Sequence, residues 1–293
     1  MTQGIDIKSA KNLIRYNCLI LDATDIEMRI RFYGDGLKDV IASFKNFQLP
    51  VFLAYADVRQ RYRRSSLGPF WITISMGVSI ACIGIIFGNI FKAPMEEFFP
   101  FLSVGLILWG FISSILTEAT TVFPSAEGII RQLPIPLFTH ICRMITRNVY
   151  ILCHNIVVLP LVYLFVGKPF SFLALLAIPG FLLLLLNLTW MALIISILCA
   201  RFRDLTQIVA SILQIFFYVT PIIWMPGLLS ARTSLMVLEP NPFYHLMSIV
   251  RDPLLGIAPT ATNWFFSLLM AIIGSYFSLV FFNNYRKRIS YWL

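Results

Sequence analysis

The 293-residue chain is 58% hydrophobic and only 13% charged, with a mean hydropathy of +0.81. Water-soluble domains carry roughly 25% charged residues, so this chain lacks the polar surface to cover a core of its own size, which excludes an ordinary soluble protein. A formal charge of +9 would suggest nucleic acid in a soluble protein, but in a membrane protein the placement of charge matters more than its sum.

Residues 1–40 are polar, show no basic-apolar-small pattern of a cleavable signal, and read as a cytosolic N-terminal extension without an assigned role. From Pro50 onwards Val51, Tyr55, Val58 and Tyr62 recur at spacings of four, three and four, a single helical stripe, while Asp57, Gln60, Arg61 and Arg64 fall on the other side. This predicts an amphipathic interface helix over residues 50–65, with tyrosines inward and Arg59, Arg61, Arg63 and Arg64 towards water and lipid phosphates. Ser65-Ser66-Leu67-Gly68-Pro69 then breaks the helix. An arginine at mid-bilayer costs about 2.5–3.5 kcal/mol, so the break precedes the membrane core. No surface for reading bases follows the arginines, which sets nucleic acid aside.

A spanning helix needs about 20 mostly apolar residues. Six stretches qualify: 70–91, 98–116, 141–166, 172–200, 205–225 and 264–282. The expectation is an all-α integral membrane protein with six transmembrane helices over residues 41–293. Arg143 and Arg147 are expected to snorkel towards headgroups. Pro160, Pro179 and Pro221 lie inside spans, where neighbouring helices can re-satisfy freed backbone groups. An inside N-terminus places 19 of the 23 Lys and Arg residues inside and leaves only Lys92, Lys168, Arg232 and Arg251 outside, so both termini are expected to be cytoplasmic. The five cysteines (Cys18, Cys82, Cys142, Cys153, Cys199) have no CxxC pair and no metal-ligand spacing, and read as small core residues.

Two connections stand out. In "FPSAEGIIRQLPIPLF", residues 123–138, Ser125 can cap a short helix that Pro134 and Pro136 end, with Glu127 and Arg131 on one face and Ile130 and Leu133 on another. By its residues alone it is a solvated loop helix with a weak ion pair. Residues 226–262 are too broken for a span and too apolar for a free loop. Asn241-Pro242 reads as a helix start, Phe243, Leu246, Met247 and Val250 as one apolar face, and Asp252-Pro253 as the end, so the segment is expected to be re-entrant or to lie in the outer headgroup layer.

No GxxxxGK[ST] loop cradles ATP phosphates, and Glu118, His154 and Asn187 do not form a proton relay; His154 reads as a helix–helix hydrogen bonder. Asp57, Glu118, Glu127 and Asp204 stand singly, without the paired acids or His–acid pair of a membrane enzyme. No inverted repeat points to a secondary transporter.

Four stretches, "DVRQRYRRSSLGPFW", "ARFRDLTQIV", "NPFYHLMSIVRDPLLG" and "YRKRISYWL", occur in an order that resembles the type-2 ABC exporter permeases of polysaccharide export, across residues 40–293. The third stretch and the "RISYWL" ending are most similar to the O-antigen (lipopolysaccharide) branch, with capsule and teichoic acid exporters related. The resemblance implies a permease subunit moving a lipid-linked polysaccharide from cytoplasm to periplasm across the bacterial inner membrane, through a channel in a homodimer. It implies two ATP-binding-cassette ATPase subunits that hold ATP and Mg, while this chain is non-catalytic and binds no cofactor or metal. A drug or small-lipid exporter of the same architecture remains the alternative.

The resemblance also places roles on residues of this chain. Ser125, Glu127, Arg131, Gln132 and Leu133 would form the coupling helix that docks into the ATPase. Tyr55, Arg59, Arg61, Tyr62, Arg63, Arg64, Leu67 and Gly68 would form the interface helix and its junction with the first span. Asn241, Phe243, Tyr244 and Arg251 would belong to a pair of short outer gate helices between spans five and six. The channel would be lined by the first and fifth spans, making Phe87, Phe91, Phe216, Phe217, Tyr218 and Trp224 candidates, and Trp109 a weaker one. Flat aromatics offer the apolar face of a sugar ring a sliding contact; lipid-facing and interfacial positions are the plainer role for any one of them.

Overall fold

In hydrocarbon, a backbone polar group finds no water, so a spanning segment must satisfy its own N–H and C=O groups and is helical. The computed structural model describes residues 36–63, 68, 70–169, 171–228 and 230–293. Arg64 and Leu67 of the expected junction, and most of the N-terminal extension, lie outside the described residues. All regular structure among the described residues is helical: α1 Gly36–Lys45, α2 Gln48–Tyr62, α3 Phe70–Phe91, α4 Met95–Ala119, α5 Val122–Ser125, α6 Glu127–Gln132, α7 Phe138–Asn155, α8 Val158–Val166, α9 Ala177–Arg201, α10 Leu205–Val219, α11 Ala231–Val237, α12 Pro242–Leu254 and α13 Ala261–Trp292. Five segments are long and apolar enough to cross a membrane: Phe70–Phe91, Met95–Ala119, Phe138–Val166, Phe172–Arg201 and Ala261–Trp292.

The fifth expected span differs from its prediction. Helix α10 stops at Val219, so its 15 residues reach only about 22 Å against a hydrocarbon core of about 30 Å. The cause is Pro221, which biases Thr220 to the extended backbone it adopts, with ψ 135°. The third expected span, 141–166, is interrupted for a related reason. Pro160 cannot donate to the carbonyl of Ile156, and the helix breaks at residues 156–157 before resuming as α8.

Helix α4 is the axis of the bundle, buried along most of its length, with α3, α7, α8, α9, α10 and α12 packed on it. Helices α9 and α13 make the closest pairing: Gly274 of α13 lies against the Trp190 indole, and the Asn187 side chain donates to the Ser267 carbonyl at 3.0 Å. Gly180 of α9 meets the Ile249 carbonyl, so the backbone of α12 comes into direct contact with α9. Helix α12, expected to be re-entrant or to lie in the outer headgroup layer, is buried among α4, α9 and α13 on nearly all sides.

Helix α13 continues ten residues beyond its expected end at 282, which carries its last turns past the hydrocarbon. There Arg286 donates to Asp39 of α1 at 2.7 Å, and the same carboxylate accepts the backbone N–H groups of Leu137 and Phe138 at 3.1 and 3.0 Å. One buried anion thus caps the start of α7 and pins the end of α13, as an anion at a helix N-terminus should. Removing one partner of such a buried pair costs about 3–5 kcal/mol. The boundary expected at residue 40 therefore falls inside α1, which packs on α7 and α13.

Of the cysteines, Cys142 and Cys199 are buried as expected, whereas Cys82 and Cys153 are exposed; the spacing of single cysteines in an apolar helix does not say which face they occupy.

The α9–α12 contact sets a stability test. Gly180→Ala would drive a Cβ into the Ile249 carbonyl and is expected to cost about 1–3 kcal/mol by overpacking, read as a lower thermal midpoint of intrinsic fluorescence in detergent. Gly128→Ala, with open space around it, is expected to leave the midpoint unchanged or slightly raised.

Candidate functional site

Charged side chains gather at one end of the bundle, where α2 crosses α7. Helix α2 buries Pro50 and Ala54 and turns Asp57 inward. Arg143 of α7 grips Asp57 with two hydrogen bonds, its Nε donating at 2.7 Å. Arg147, one turn on, donates from Nη1 to Asp57 at 3.2 Å and from Nη2 to Glu118 at 2.7 Å. Asn148 donates to the same Glu118 oxygen at 2.7 Å and accepts from Ser114 at 2.7 Å. Arg61 approaches the other Glu118 oxygen at 3.8 Å.

This corrects the expected faces of the interface helix. Asp57 was expected on the water side and Tyr55 inside; Tyr55 is 55% exposed and Asp57 is turned inward. Arg143 and Arg147 were expected to snorkel to headgroups, and instead bind acids. A stripe of apolar residues ranks positions by hydrophobicity, whereas two guanidiniums on the neighbouring helix make an acid the better inward residue. Arg59, Arg61 and Arg63 are exposed as predicted. The Tyr62 side chain lies outside the described residues, and Gly68, with φ +56°, turns the chain towards α3.

Burial by itself would raise the Asp57 carboxyl, but the hydrogen bonds and charge of Arg143 and then Arg147 outweigh it and hold its pKa below the usual range.

The α5–α6 connection projects from the same end. Ser125 closes α5, its hydroxyl donating back to the Val122 carbonyl at 3.2 Å, and Ala126 stands at the N-cap of α6, so Ser125 is not the cap it was expected to be. Ala126 takes that place because α5 runs into α6 without an intervening loop. Glu127 and Arg131 pair at 3.0 Å, Leu133 ends the helix in extended backbone, and Pro134 follows. Ile130 packs towards the core, while Arg131, Gln132 and Leu133 point outward.

The far end is built around the break after α10. The carbonyl of Pro221 accepts from Arg251 Nη1 at 2.7 Å, and Asn241 Nδ2 donates to the Thr220 hydroxyl at 2.9 Å. Asn241 also caps α12, accepting from the N–H groups of Phe243 and Tyr244. Arg251 is 2% exposed, its guanidinium 4.5 Å from the Phe101 ring centroid. A guanidinium keeps its charge even when buried. Asn241 and Arg251, expected as gate residues, thus hold the non-helical stretch in place.

Between these ends runs a groove along α4. Met76 of α3 lies over Gly110, and Phe217 of α10 packs on the adjacent Trp109 with centroids 6.0 Å apart, so α3 and α10 flank one strip of α4. That strip, Leu106, Gly110, Ser113 and Thr117, stays partly open while most of α4 is buried. Each flanking helix is split lengthwise. On α3, Ser75, Ser79 and Asn89 lie along one exposed row, with Cys82 and Ile86 between them, and Ile74, Val78, Ala81 and Ile85 lie along the neighbouring row. On α10, Gln207, Ser211, Gln214 and Tyr218 recur at spacings of four, three and four beside Phe217, Ile208, Ile212 and Ile215 form the neighbouring exposed row, and Val209, Leu213 and Phe216 pack on the bundle. The serines and Asn89 donate to their own helix, but the Gln207, Gln214 and Tyr218 side chains make no hydrogen bond to another described residue.

Sequence reasoning looked for aromatics on these helices and missed the polar rows, although their helical spacing is legible. Tyr218 is 63% exposed at the groove, and the half-buried Trp224 donates to the Tyr218 carbonyl at 3.1 Å. Phe216 turns away to Phe243, at 4.9 Å, and Trp109, 7% exposed, completes that packed cluster. Phe87 and Phe91 pair at 5.7 Å at the far end of α3, where Phe91 meets Phe98. Of the gate residues, Phe243 lies in the core and Tyr244 sets its ring against His245.

Residues 51–255, from the interface helix to the end of α12, match the family of ABC-2 type transporters. The chain belongs to that family. This ABC-2 type chain is therefore a multi-pass membrane protein. It is 25% identical over 207 residues to the O-antigen export system permease protein RfbA of Myxococcus xanthus, covering 68% of this chain and 77% of that relative. It is 24% identical over 251 residues to a protein of the same name from Klebsiella pneumoniae, covering 83% of this chain and 94% of that relative.

The depressed Asp57 value gives a pH test. Its contribution to holding α2 is complete above the ordinary aspartate value of 3.8 and is lost only as the pH falls below that, through the folded-state value. Hydrogen exchange of α2 in detergent is expected to be flat from about pH 8 to about pH 5, after correction for intrinsic rates, and to rise only in stronger acid. Asp57→Asn is expected to raise exchange throughout and remove the acid step.

Proposed function

We propose that this chain is the non-catalytic permease subunit of an ATP-driven exporter that moves a lipid-linked polysaccharide, of the O-antigen class, from the cytoplasm to the periplasm. The observation that carries this reading is the exposed polar row of α10, Gln207, Ser211, Gln214 and Tyr218, next to the partly open strip of α4. An amide left without a partner in hydrocarbon costs about 2–7 kcal/mol, so Gln207 and Gln214 call for water or a hydroxylated ligand. A chain of sugars offers both hydroxyl rims and apolar ring faces, matched by the glutamines and by Tyr218 and Trp224 near the far end. The names of the Myxococcus and Klebsiella relatives support the polymer over a drug or small lipid.

Two copies in the inner membrane, related by a two-fold axis, bring two grooves together as one conduit. Both termini and the α2, α5 and α6 end lie in the cytoplasm, in keeping with the lysines and arginines gathered there. Two ATPase subunits, which hold ATP and Mg, dock against α6 through Glu127, Arg131, Gln132 and Leu133. The exposed Glu127–Arg131 pair contributes at most about 1 kcal/mol to this chain by itself, so a large effect of reversing it reports on a partner.

Depletion of the protein in its host is expected to leave polymer inside the cell and remove it from the surface. Normal surface polymer in the absence of a redundant exporter overturns the polymer reading. Gln207→Leu with Gln214→Leu is expected to lower surface polymer several-fold at unchanged protein level in the membrane, and Ile208→Leu with Ile212→Leu to leave it unaltered. Arg131→Glu is expected to reduce co-purification of the ATPase.

A further inference from the structure

The cluster Asp57–Arg143–Arg147–Glu118 joins three elements that are far apart in the chain, and neither the family match nor the groove accounts for it. Glu118 stands at the end of α4, the helix that enters the α5–α6 connection. Arg143 and Arg147 stand in the first turns of α7, the helix that leaves it. Arg147 spans the two arms and α2 with a single guanidinium, one nitrogen on Asp57 and one on Glu118. Asn148 adds a second bond from α7 to Glu118. The α6 connection is therefore closed at its base, and Asp57 ties that base to the helix preceding α3, one wall of the groove. Ala54, fully buried one turn before Asp57, brings the backbone of α2 close to α7 at this point.

We propose that Asp57 and Glu118, bridged by Arg147, are positioning residues that make α2, the end of α4 and the start of α7 one mechanical unit. Force applied to α6 is passed to α2, and through it to the entrance of the groove beside α3. The inference rests on α6 being the contact for the ATPase. The geometry suits load-bearing: charge-assisted bidentate pairs fix orientation as well as distance, and the sites are screened from solvent by the packing of α2 on α7. Arg61 of α2 only approaches Glu118, at 3.8 Å and half-exposed, so Asp57 is the close tie of α2 to the cluster, and its loss loosens α2 without touching α6.

The test uses the complete transporter with its ATPase subunits and lipid-linked polymer in inverted membrane vesicles, measuring polymer moved and ATP hydrolysed for the native protein, Asp57→Glu, Asp57→Asn and Arg147→Gln. Assembly and ATP hydrolysis are expected to persist in all four, with polymer moved per ATP falling about tenfold in Asp57→Asn and Arg147→Gln and largely kept in Asp57→Glu. A native ratio in Asp57→Asn, or a parallel loss of assembly, hydrolysis and transport such as a purely structural clamp gives, overturns the proposal. A second measurement needs no charge variant: spin labels at the exposed positions Phe52 and Thr121, both on one copy that is paired with an unlabelled copy, are expected to keep their separation when ATP binds. A change in that separation overturns the single-unit proposal. The docking reading is judged separately by Arg131→Glu: co-purification of the ATPase at the native level removes α6 as its contact, while the label distance still reports whether α2 and the α4–α5 end move as one.

Discussion

The absence of a hydrogen-bond partner in hydrocarbon is the constraint from which the other features follow. It makes the spans helical, and it sets the terms on which the chain departs from a helix. At Thr220–Pro221 the backbone leaves α10 at membrane depth, and the freed Pro221 carbonyl is met by Arg251, a charge buried at the cost of its hydration. Such a charge is tolerated because it is shared among a carbonyl, Asp252 and the face of Phe101. At residues 156–157 the break is smaller and needs only the turn hydrogen bond from Leu159 to Ile156.

The same constraint separates two kinds of polar residue within the bundle. Asn187, Asp39, Asn241 and Arg251 are buried and paired across elements, and they fix how helices sit. Gln207, Gln214 and Tyr218 are exposed along one row of an apolar helix, with Ile208, Ile212 and Ile215 along the neighbouring exposed row. A helix surrounded by lipid has no reason for that division. The division is consistent with one side of α10 facing water, and with Ser113 and Thr117 of α4 between it and α3 belonging to the same wet surface.

The two ends of the protein are built on different principles. At the α2 end, acids and arginines make charge-assisted bonds among α2, α4 and α7, with solvent close at hand and each group half-buried or better. At the far end, the Arg251–Asp252 pair lies beside the Phe101 ring, and Phe243, Trp109 and Phe216 pack as an aromatic cluster. Exposed side chains at α6 add little to internal stability, which leaves their arrangement free to suit a partner.

Much of this was legible in the sequence. Composition dictated a membrane protein, runs of apolar residues located the long helices to within a few positions except at the end of α13, which runs on to Trp292, and Asn241-Pro242 marked the start of α12 because the Asn side chain accepts the free N–H groups of the first turn, where Pro has none. The polar row of α10 was equally open to reading, since its period belongs to the helix alone. Periodicity could not say which side of α2 faces inward, because Asp57 gains its place only from Arg143 and Arg147, ninety residues away in the chain. Nor could it distinguish a channel aromatic from a core one: Trp109, Phe216 and Tyr218 have the same chemistry, and their surroundings separate them. Local sequence determined where the chain is helical and where it breaks, because those choices are made by backbone groups within a few residues; the tertiary structure decided which charges are paired and which faces stay open, because those depend on helices that meet only in the folded bundle.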